Sequence, residues 1–193
     1  FMVRSKMPSG ECTAEQYLAH DKIAEDLGTG TMRITTRQGF QMHGVLMGGL
    51  KDTIARICQS GLTTWGACGD VVRNTMGPSA PIDDVAHREA GKLAIELSEV
   101  FLAKSDSYLD IWLNGEKVDL SQHGYKNGAS IESPDLGPTK DEPIYGKYYL
   151  PRKFKIGISI PPRNDVDIFS QDLGFVPHLE GGEVQGWTVT VGG

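Results

Sequence analysis

Polar and apolar residues alternate along Thr31–Gly44, whose sequence is TMRITTRQGFQMHG. Successive side chains of a strand point to opposite faces, so the pattern predicts one β-strand with an apolar and a polar face. The polar face comprises Arg33, Thr35, Arg37, Gln41 and His43, interrupted by Gly39. A glycine within a strand indicates a bulge or a close approach to the backbone. We therefore expect this face to bind a large anionic ligand.

The segments around this strand alternate between strand and helix patterns. A short strand is predicted at Met2–Met7, and a helix begins at Thr13, forms a capping box with Gln16 and ends near Gly28. A second helix is predicted at about Leu50–Ser60. This alternation indicates an α+β or α/β unit.

The second part of the chain starts with a loop-rich stretch, Gly66–Pro81, and we place a domain boundary near its beginning. Asp83 and Asp84 favour the start of a helix through the helix dipole, and this helix is predicted to run to about Ala103. Its predicted buried side comprises Val85, Ala86, Leu93, Leu97, Val100 and Phe101.

Further elements are predicted towards the end of the chain. They are strands at Tyr108–Leu113 and Tyr148–Ile160, a tight turn at Asn114-Gly115, a short helix near Val166–Asp172 and a hairpin around Gly181-Gly182. Between them, Asp119–Pro143 is rich in Gly, Pro, Ser and Asp and has little periodicity. A long stretch of this kind is usually functional or mobile.

Composition narrows the class of protein. The 193 residues carry a net charge of −6, which argues against a nucleic-acid partner and makes local cationic clusters more informative. No apolar run approaches the ~20 residues that cross a bilayer, so no membrane partner is expected. Cys12, Cys58 and Cys68 are widely spaced and read as free thiols in a reducing compartment. Both ends of the chain read as cut, which indicates a fragment or a processed chain.

Four motifs in order carry a resemblance to a known family. RITTRQGFQMHG is similar to the siroheme-binding strand of the sulfite and nitrite reductases, and GDVVRNTMG, YLPRKFK and NDVDIFSQDLGFV continue the match. The resemblance covers almost the whole chain but only the N-terminal part of such an enzyme. It implies an α+β fold, with a ferredoxin-like half-domain at residues 1–66 and the first part of a siroheme-binding mixed α/β domain at residues 67–193.

The resemblance also implies roles for individual residues. Siroheme carries several carboxylates, which the planar guanidinium group of arginine binds well. Cofactor contacts are assigned to Arg33, Thr35, Arg37, Gln41, His43 and Asn74. Binding of the substrate anion is assigned to Arg4, Arg73, Lys153 and Lys155. Crowded positive charges lower the pKa of a lysine, which makes it a better proton donor to bound sulfite.

The family resemblance implies a siroheme and a 4Fe-4S cluster in the complete enzyme, with the cluster cysteines in a C-terminal half that this chain does not include. The expected function is the siroheme- and anion-binding portion of an assimilatory sulfite reductase, which reduces sulfite to sulfide. The isolated chain is expected to be inactive. Expected partners are that C-terminal half, sulfite, and either ferredoxin or a flavoprotein as electron donor. The expected location is the cytoplasm, or the plastid if the source is a plant or an alga.

Two alternatives remain open at this point. One is a ferredoxin–nitrite reductase, although the nitrite branch tends to have an uncharged residue at Lys155, and LPRKFK therefore favours sulfite. The length of Asp119–Pro143 is closer to ferredoxin-dependent members of the family. The other alternative is a non-catalytic module that binds an anion or a tetrapyrrole.

Overall fold

The computed structural model describes residues 1–103, 112–113, 116–117, 144–146 and 150–192. It is a mixed helix and strand fold, which confirms the predicted α+β class. The first sheet has the order β1-β3-β2 and consists of β1 (Val3–Arg4), β2 (Met32–Ile34) and β3 (Phe40–Met42), all antiparallel. Helices α1 (Ala14–Leu27) and α2 (Leu50–Gln59) accompany this sheet.

The capping signals of α1 are confirmed. The Thr13 side chain accepts a hydrogen bond from the backbone N–H of Gln16, the Gln16 side chain accepts one from the backbone N–H of Thr13, and Gly28 is the C-cap. The helix packs through Ile23 and Ala24 onto Val3 and Met42 of the sheet. This core packs against one face of the sheet, and the opposite face carries polar side chains.

The second sheet has the order β6-β7-β8. Strand β6 (Ile156–Ile158) pairs in parallel with β7 (Leu173–Glu180), which forms the predicted hairpin with β8 (Glu183–Val191). Ile156 and Ile158 are fully buried. The sheet is joined to the preceding loop by parallel bridges from Val72 to Phe154 and from Met76 to Gly157.

Several predicted elements are shorter than expected. The Met2–Met7 strand is paired as β1 only at Val3–Arg4, and the described part of Tyr148–Ile160 is a strand only at Ile156–Ile158. Near Val166–Asp172 the chain forms a single 3-10 turn, Ile168–Ser170. Two short strands, β4 (Trp112–Leu113) and β5 (Glu116–Lys117), pair with each other. The predicted Asn114-Gly115 turn, most of Tyr108–Leu113 and all of Asp119–Pro143 lie outside the described residues.

The prediction of one continuous strand at Thr31–Gly44 is wrong. The chain reverses between β2 and β3, because Thr35 N–H donates to Gly39 O at 2.8 Å and Gln38 N–H donates to Thr35 O at 2.9 Å. Gln38 has a φ of 56°, a left-handed conformation that lets the turn close. The segment is therefore a β-hairpin, and Arg37 lies in its turn rather than on a strand face.

Helix α3 (Val85–Val100) is confirmed as an element, but the predicted buried side is partly wrong. Its buried residues are small ones at helical spacing, Ala86, Ala90, Gly91, Ala94 and Ser98. Val100, predicted to be buried, is 57% exposed. Small side chains let the helix lie close to Ile158 of β6 and to Ile160 just after this strand, which belong to the same core cluster.

Candidate anion and cofactor site

A row of polar side chains crosses the first sheet. Gln41 on β3 stands opposite Arg4 on β1 and opposite Arg33 on β2, so the three residues share one face. Arg4 donates from Nε and Nη2 to Gln41 Oε1, at 3.0 and 2.6 Å. The amide nitrogen of Gln41 lies 2.6 Å from His43 Nε2, which accepts because an amide nitrogen can only donate. The row results from pairing across three strands, and not from periodicity along one.

A cavity of about 370 Å³ opens above this row. Its wall contains five positive side chains, those of Arg4, Arg33, Arg37, Arg73 and Lys153. The other predicted site residues on the wall are Thr35, Gln41 and Asn74. Among the described residues that line the cavity none is acidic. In a chain with a net charge of −6, this concentration of positive charge favours an anionic ligand.

The guanidinium group of Arg37 donates to acceptors from three different residues of the protein. Arg37 Nη2 donates to Asn74 O at 2.7 Å and to Ile156 O at 2.9 Å, and Nη1 donates to Gln171 Oε1 at 2.9 Å. Burial, together with repulsion from Arg73, lowers the pKa of Arg37 to about 10, and Asp172 acts in the opposite direction. Arg37 therefore remains charged at neutral pH while it joins the hairpin turn to β6.

Asn74 also connects the two parts of the site. Its side-chain Nδ2 donates to Met7 O at 2.5 Å and to Arg37 O at 2.8 Å. Its Oδ1 is buried without a hydrogen-bond partner among the described residues. A buried acceptor without a partner is costly, so a donor from a bound group would stabilise this position.

The two lysines of the LPRKFK motif occupy different surroundings. Lys153 lines the main cavity and also a neighbouring cavity of about 370 Å³. Lys155 lines only the neighbouring cavity, where its Nζ donates to Ser170 O at 2.6 Å. His43 lies on the wall of neither cavity. The structure therefore places Lys155 and His43 beside the main cavity rather than on its wall.

The structure shows the close approach to the backbone that the sequence predicted as one explanation of Gly39. A Cβ atom at this position would lie 2.6 Å from the carbonyl oxygen of Ser5. The missing side chain therefore allows β1 and β3 to approach each other, and Ser5 N–H donates to Phe40 O at 2.9 Å. The approaching backbone is that of Ser5, at the end of the β2–β3 turn, where Gly39 O accepts from Thr35 N–H.

Sequence reasoning did not single out Gln38 as a site residue. Its side chain forms a paired interaction with Gly77, donating to Gly77 O at 2.7 Å and accepting from Gly77 N at 3.0 Å. This pair holds the hairpin turn in its left-handed conformation. A non-glycine residue at positive φ is uncommon, but the sequence carries no signal of it.

The three cysteines belong to no metal site among the residues that the structure describes. Cys12 and Cys68 are exposed and Cys58 is half-buried. Over residues 1–103 and the other described segments, no group of three or more His, Cys, Asp or Glu residues could hold a metal ion. Within the same segments no helix is long and apolar enough to cross a membrane.

Comparison with family models decides the relationship. Residues 1–59 match the nitrite/sulfite reductase ferredoxin-like half domain, and residues 124–193 match the nitrite and sulphite reductase 4Fe-4S domain. The chain belongs to the nitrite and sulfite reductase family. The predicted resemblance is confirmed.

Curated relatives within this family are similar over the whole chain. The sulfite reductase (NADPH) hemoprotein beta-component of Anoxybacillus flavithermus is 46% identical over 193 residues, and that of Myxococcus xanthus is 43% identical. In both cases the match covers 100% of this chain and 31% of the relative. The chain therefore spans about a third of the length of these relatives.

Two solved structures share the fold. The Mycobacterium tuberculosis NirA protein gives a TM-score of 0.63 at 20% identity, covering 100% of this chain and 28% of that protein. Dissimilatory sulfite reductase I gives a TM-score of 0.58 at 12% identity, covering 93% of this chain and 33% of that protein. At these identities the likeness supports the fold alone.

Proposed function

We propose that this chain is the part of an assimilatory sulfite reductase that binds the substrate anion and one side of a siroheme. The observation that carries the proposal is the cavity with five positive side chains and no acidic one on its described wall. Support comes from the curated relatives, which are sulfite reductase hemoproteins. The six-electron reduction of sulfite to sulfide would belong to the longer protein.

The residues of the cavity fit a siroheme, whose macrocycle carries several carboxylates. Arg33 is exposed on the cavity wall, and Thr35 and Gln41 add hydrogen-bonding groups beside it. The unpartnered Oδ1 of Asn74 is a further polar atom at this wall. When bound, siroheme supplies the iron to which the substrate coordinates and through which electrons reach it. We propose that these residues orient it, with His43 holding Gln41.

The cations have separate proposed roles. Arg4, Arg73 and Lys153 line the cavity and would neutralise the negative charge of sulfite. Lys155 lines the neighbouring cavity together with Lys153 and would supply a proton. Because no cluster-like group of ligands exists among the described residues, the 4Fe-4S cluster of the complete enzyme would be held by other parts of the longer protein.

We propose that the electron donor is a separate protein. The relatives carry NADPH in their names and are called beta-components, which supports a separate protein as the donor. A flavoprotein fits that naming better than the ferredoxin type predicted from the length of Asp119–Pro143. We further propose a cytoplasmic location and a domain boundary near residue 66.

Nitrite is the second candidate substrate, because the family includes nitrite reductases. The naming of the relatives and the charge at Lys155 favour sulfite. A non-catalytic module that binds an anion or a tetrapyrrole is the third candidate. The 46% identity over the whole chain to a sulfite reductase hemoprotein favours the enzyme.

The deciding experiment uses the longer reductase that contains this segment. We expect purified protein to hold siroheme and to reduce sulfite faster than nitrite with a chemical reductant. Lys153→Met should lower sulfite turnover about tenfold to a hundredfold with siroheme content near normal, because one charge-assisted hydrogen bond is lost. Lys22→Met, an exposed residue of α1, is the matched control and should leave turnover unchanged. Protein that holds siroheme but never turns over would support the non-catalytic module.

A further inference from the structure

One short segment, Ser170–Leu173, contacts Lys155 at three points. Lys155 Nζ donates to Ser170 O at 2.6 Å, and Lys155 N–H donates to Asp172 Oδ2 at 2.7 Å. Leu173 N–H donates to Lys155 O at 3.1 Å. Both ends of the lysine, its backbone and its ammonium group, are thus fixed by the same segment.

The same segment contacts Arg37. The side chain of Gln171 is buried, with its residue only 6% exposed, and its Oε1 accepts from Arg37 Nη1 at 2.9 Å. Its Nε2 donates to Val166 O at 2.8 Å, which fixes the amide in place. The negative charge of Asp172 also acts on Arg37 and favours its charged form. One segment therefore contacts both Arg37, which lines the main cavity, and Lys155, which lies beside it.

Asp172 is the only side-chain group among the three contacts to Lys155. Lys155 directly precedes β6, and its N–H donates to the carboxylate rather than to a neighbouring strand. A carboxylate that accepts a backbone N–H makes a charge-assisted hydrogen bond, about twice as strong as a neutral one. Loss of this acceptor would leave the backbone N–H of Lys155 without this hydrogen bond, one bond away from the Cα that carries the side chain.

We propose that Asp172 is a positioning residue, which holds Lys155 in the orientation needed beside the anion cavity. The inference rests on the proposed function, because it concerns the lysine assigned to proton supply. Asp172 does not line either cavity, so it acts through Lys155 and not on the substrate.

The test in the longer reductase compares two substitutions of Asp172 with Lys155→Met. Asp172→Asn keeps an oxygen that can accept from Lys155 N–H, and turnover per siroheme should stay within about threefold of normal. Asp172→Ala removes that acceptor and should lower turnover about tenfold to a hundredfold, as Lys155→Met does, with siroheme content near normal. The double variant Asp172→Ala with Lys155→Met should be no slower than Lys155→Met alone, because both changes remove the action of one lysine.

Asp21→Ala is the matched control, because Asp21 is an exposed carboxylate on α1 and its loss changes the net charge equally. It should stay within about threefold of normal turnover. Three results would each overturn the proposal: unchanged turnover in Asp172→Ala, an equal loss in Asp172→Asn, or a multiplied loss in the double variant.

A second measurement does not depend on the proposed function. In the 193-residue chain, hydrogen exchange of the Lys155 amide should be at least about tenfold faster in Asp172→Ala than in Asp172→Asn. Equal exchange in the two variants would disprove the positioning contact. If the longer protein instead holds no siroheme and reduces neither anion, the proposed function fails, while the exchange rates still decide the role of Asp172.

Discussion

At the scale of single residues, two arginines of the same motif have different surroundings. The guanidinium group of Arg37 is shared among Asn74 O, Ile156 O and Gln171 Oε1. Arg33 is exposed and faces the cavity. We infer that Arg37 mainly maintains the geometry of the site and that Arg33 is free to bind a ligand carboxylate.

This difference predicts separate effects on stability and on binding. Arg37→Met leaves buried carbonyl groups without donors and should lower the free energy of unfolding by about 3 kcal/mol. Arg33→Met should change that free energy by no more than about 0.5 kcal/mol but should reduce siroheme content in the longer reductase. Urea unfolding of the chain and the siroheme absorbance measure the two effects. Equal destabilisation by both variants would contradict the assignment.

His20 is a second residue whose surroundings predict a measurable effect. It is fully buried, its Nδ1 lies 2.8 Å from Gln16 O, and its ring centroid is 5.1 Å from that of Phe40. Burial lowers the pKa of His20 below its usual value of 6.5. The unfolded chain therefore takes up a proton first as the pH falls, and the protein loses stability below about pH 6.5.

We expect the free energy of unfolding to fall by at most about 1.4 kcal/mol per pH unit from this group below that pH. His20→Leu should reduce the dependence between about pH 5 and 7, since no buried imidazole remains to be protonated. His178→Leu, at an exposed position, is the control and should keep it. Denaturant midpoints at several pH values measure the slope. An unchanged slope in His20→Leu would refute the role of burial.

At the scale of elements, helix α3 shows why the predicted buried side was only partly correct. Periodicity ranked large apolar residues such as Val100 as buried, whereas the helix approaches β6 through alanines. A close approach requires small side chains, and hydrophobicity alone does not show which stripe of a helix approaches a neighbour.

A larger side chain at Ala90 tests the close contact between α3 and β6. Ala90 has no exposed surface and lies in the cluster with Ile158 and Ile160, so Ala90→Leu should destabilise the protein by about 1–3 kcal/mol. Ile95→Leu, at a position that is 47% exposed on the same helix, should have little effect. Thermal or urea unfolding gives both values. A tolerated leucine at position 90 would show that the helix can move away from the sheet.

At the same scale, the sequence predicted features that depend on neighbouring residues and missed those that depend on distant contacts. The cap residues Thr13, Gln16 and Gly28 predicted α1 because the capping bonds are local. The hairpin turn depends on the distant pair between Gln38 and Gly77, which no local pattern reveals. The alternating pattern still placed Arg33 and Gln41 correctly on one face. The two residues are a cross-strand pair, and the side chains of such a pair point to the same side of the sheet. Alternation did not predict the position of Lys155 correctly, because its Nζ donates a hydrogen bond to Ser170 O.

At the scale of the whole molecule, large apolar side chains are exposed on both sheets and their connections. Ile34 is 74% exposed, Leu46 77%, Phe169 78% and Val191 84%. Among the described strands, β8 forms one edge of its sheet, and Val191 ends that strand. Exposed apolar surface and an unpaired strand edge both favour association with another surface.

The chain also spans only 31% of its curated relatives, so surfaces covered in those longer proteins would be open here. We expect the purified chain of 193 residues to self-associate at micromolar concentrations and to reduce no sulfite. The double variant Phe169→Ser with Val191→Ser should shift the chain towards monomer, because it removes two of the most exposed apolar side chains. Thr188→Ser, an exposed change on the same strand, should leave the association unchanged. Light scattering after size exclusion measures the mass, and a wild-type chain that remains monomeric at high concentration would contradict this prediction.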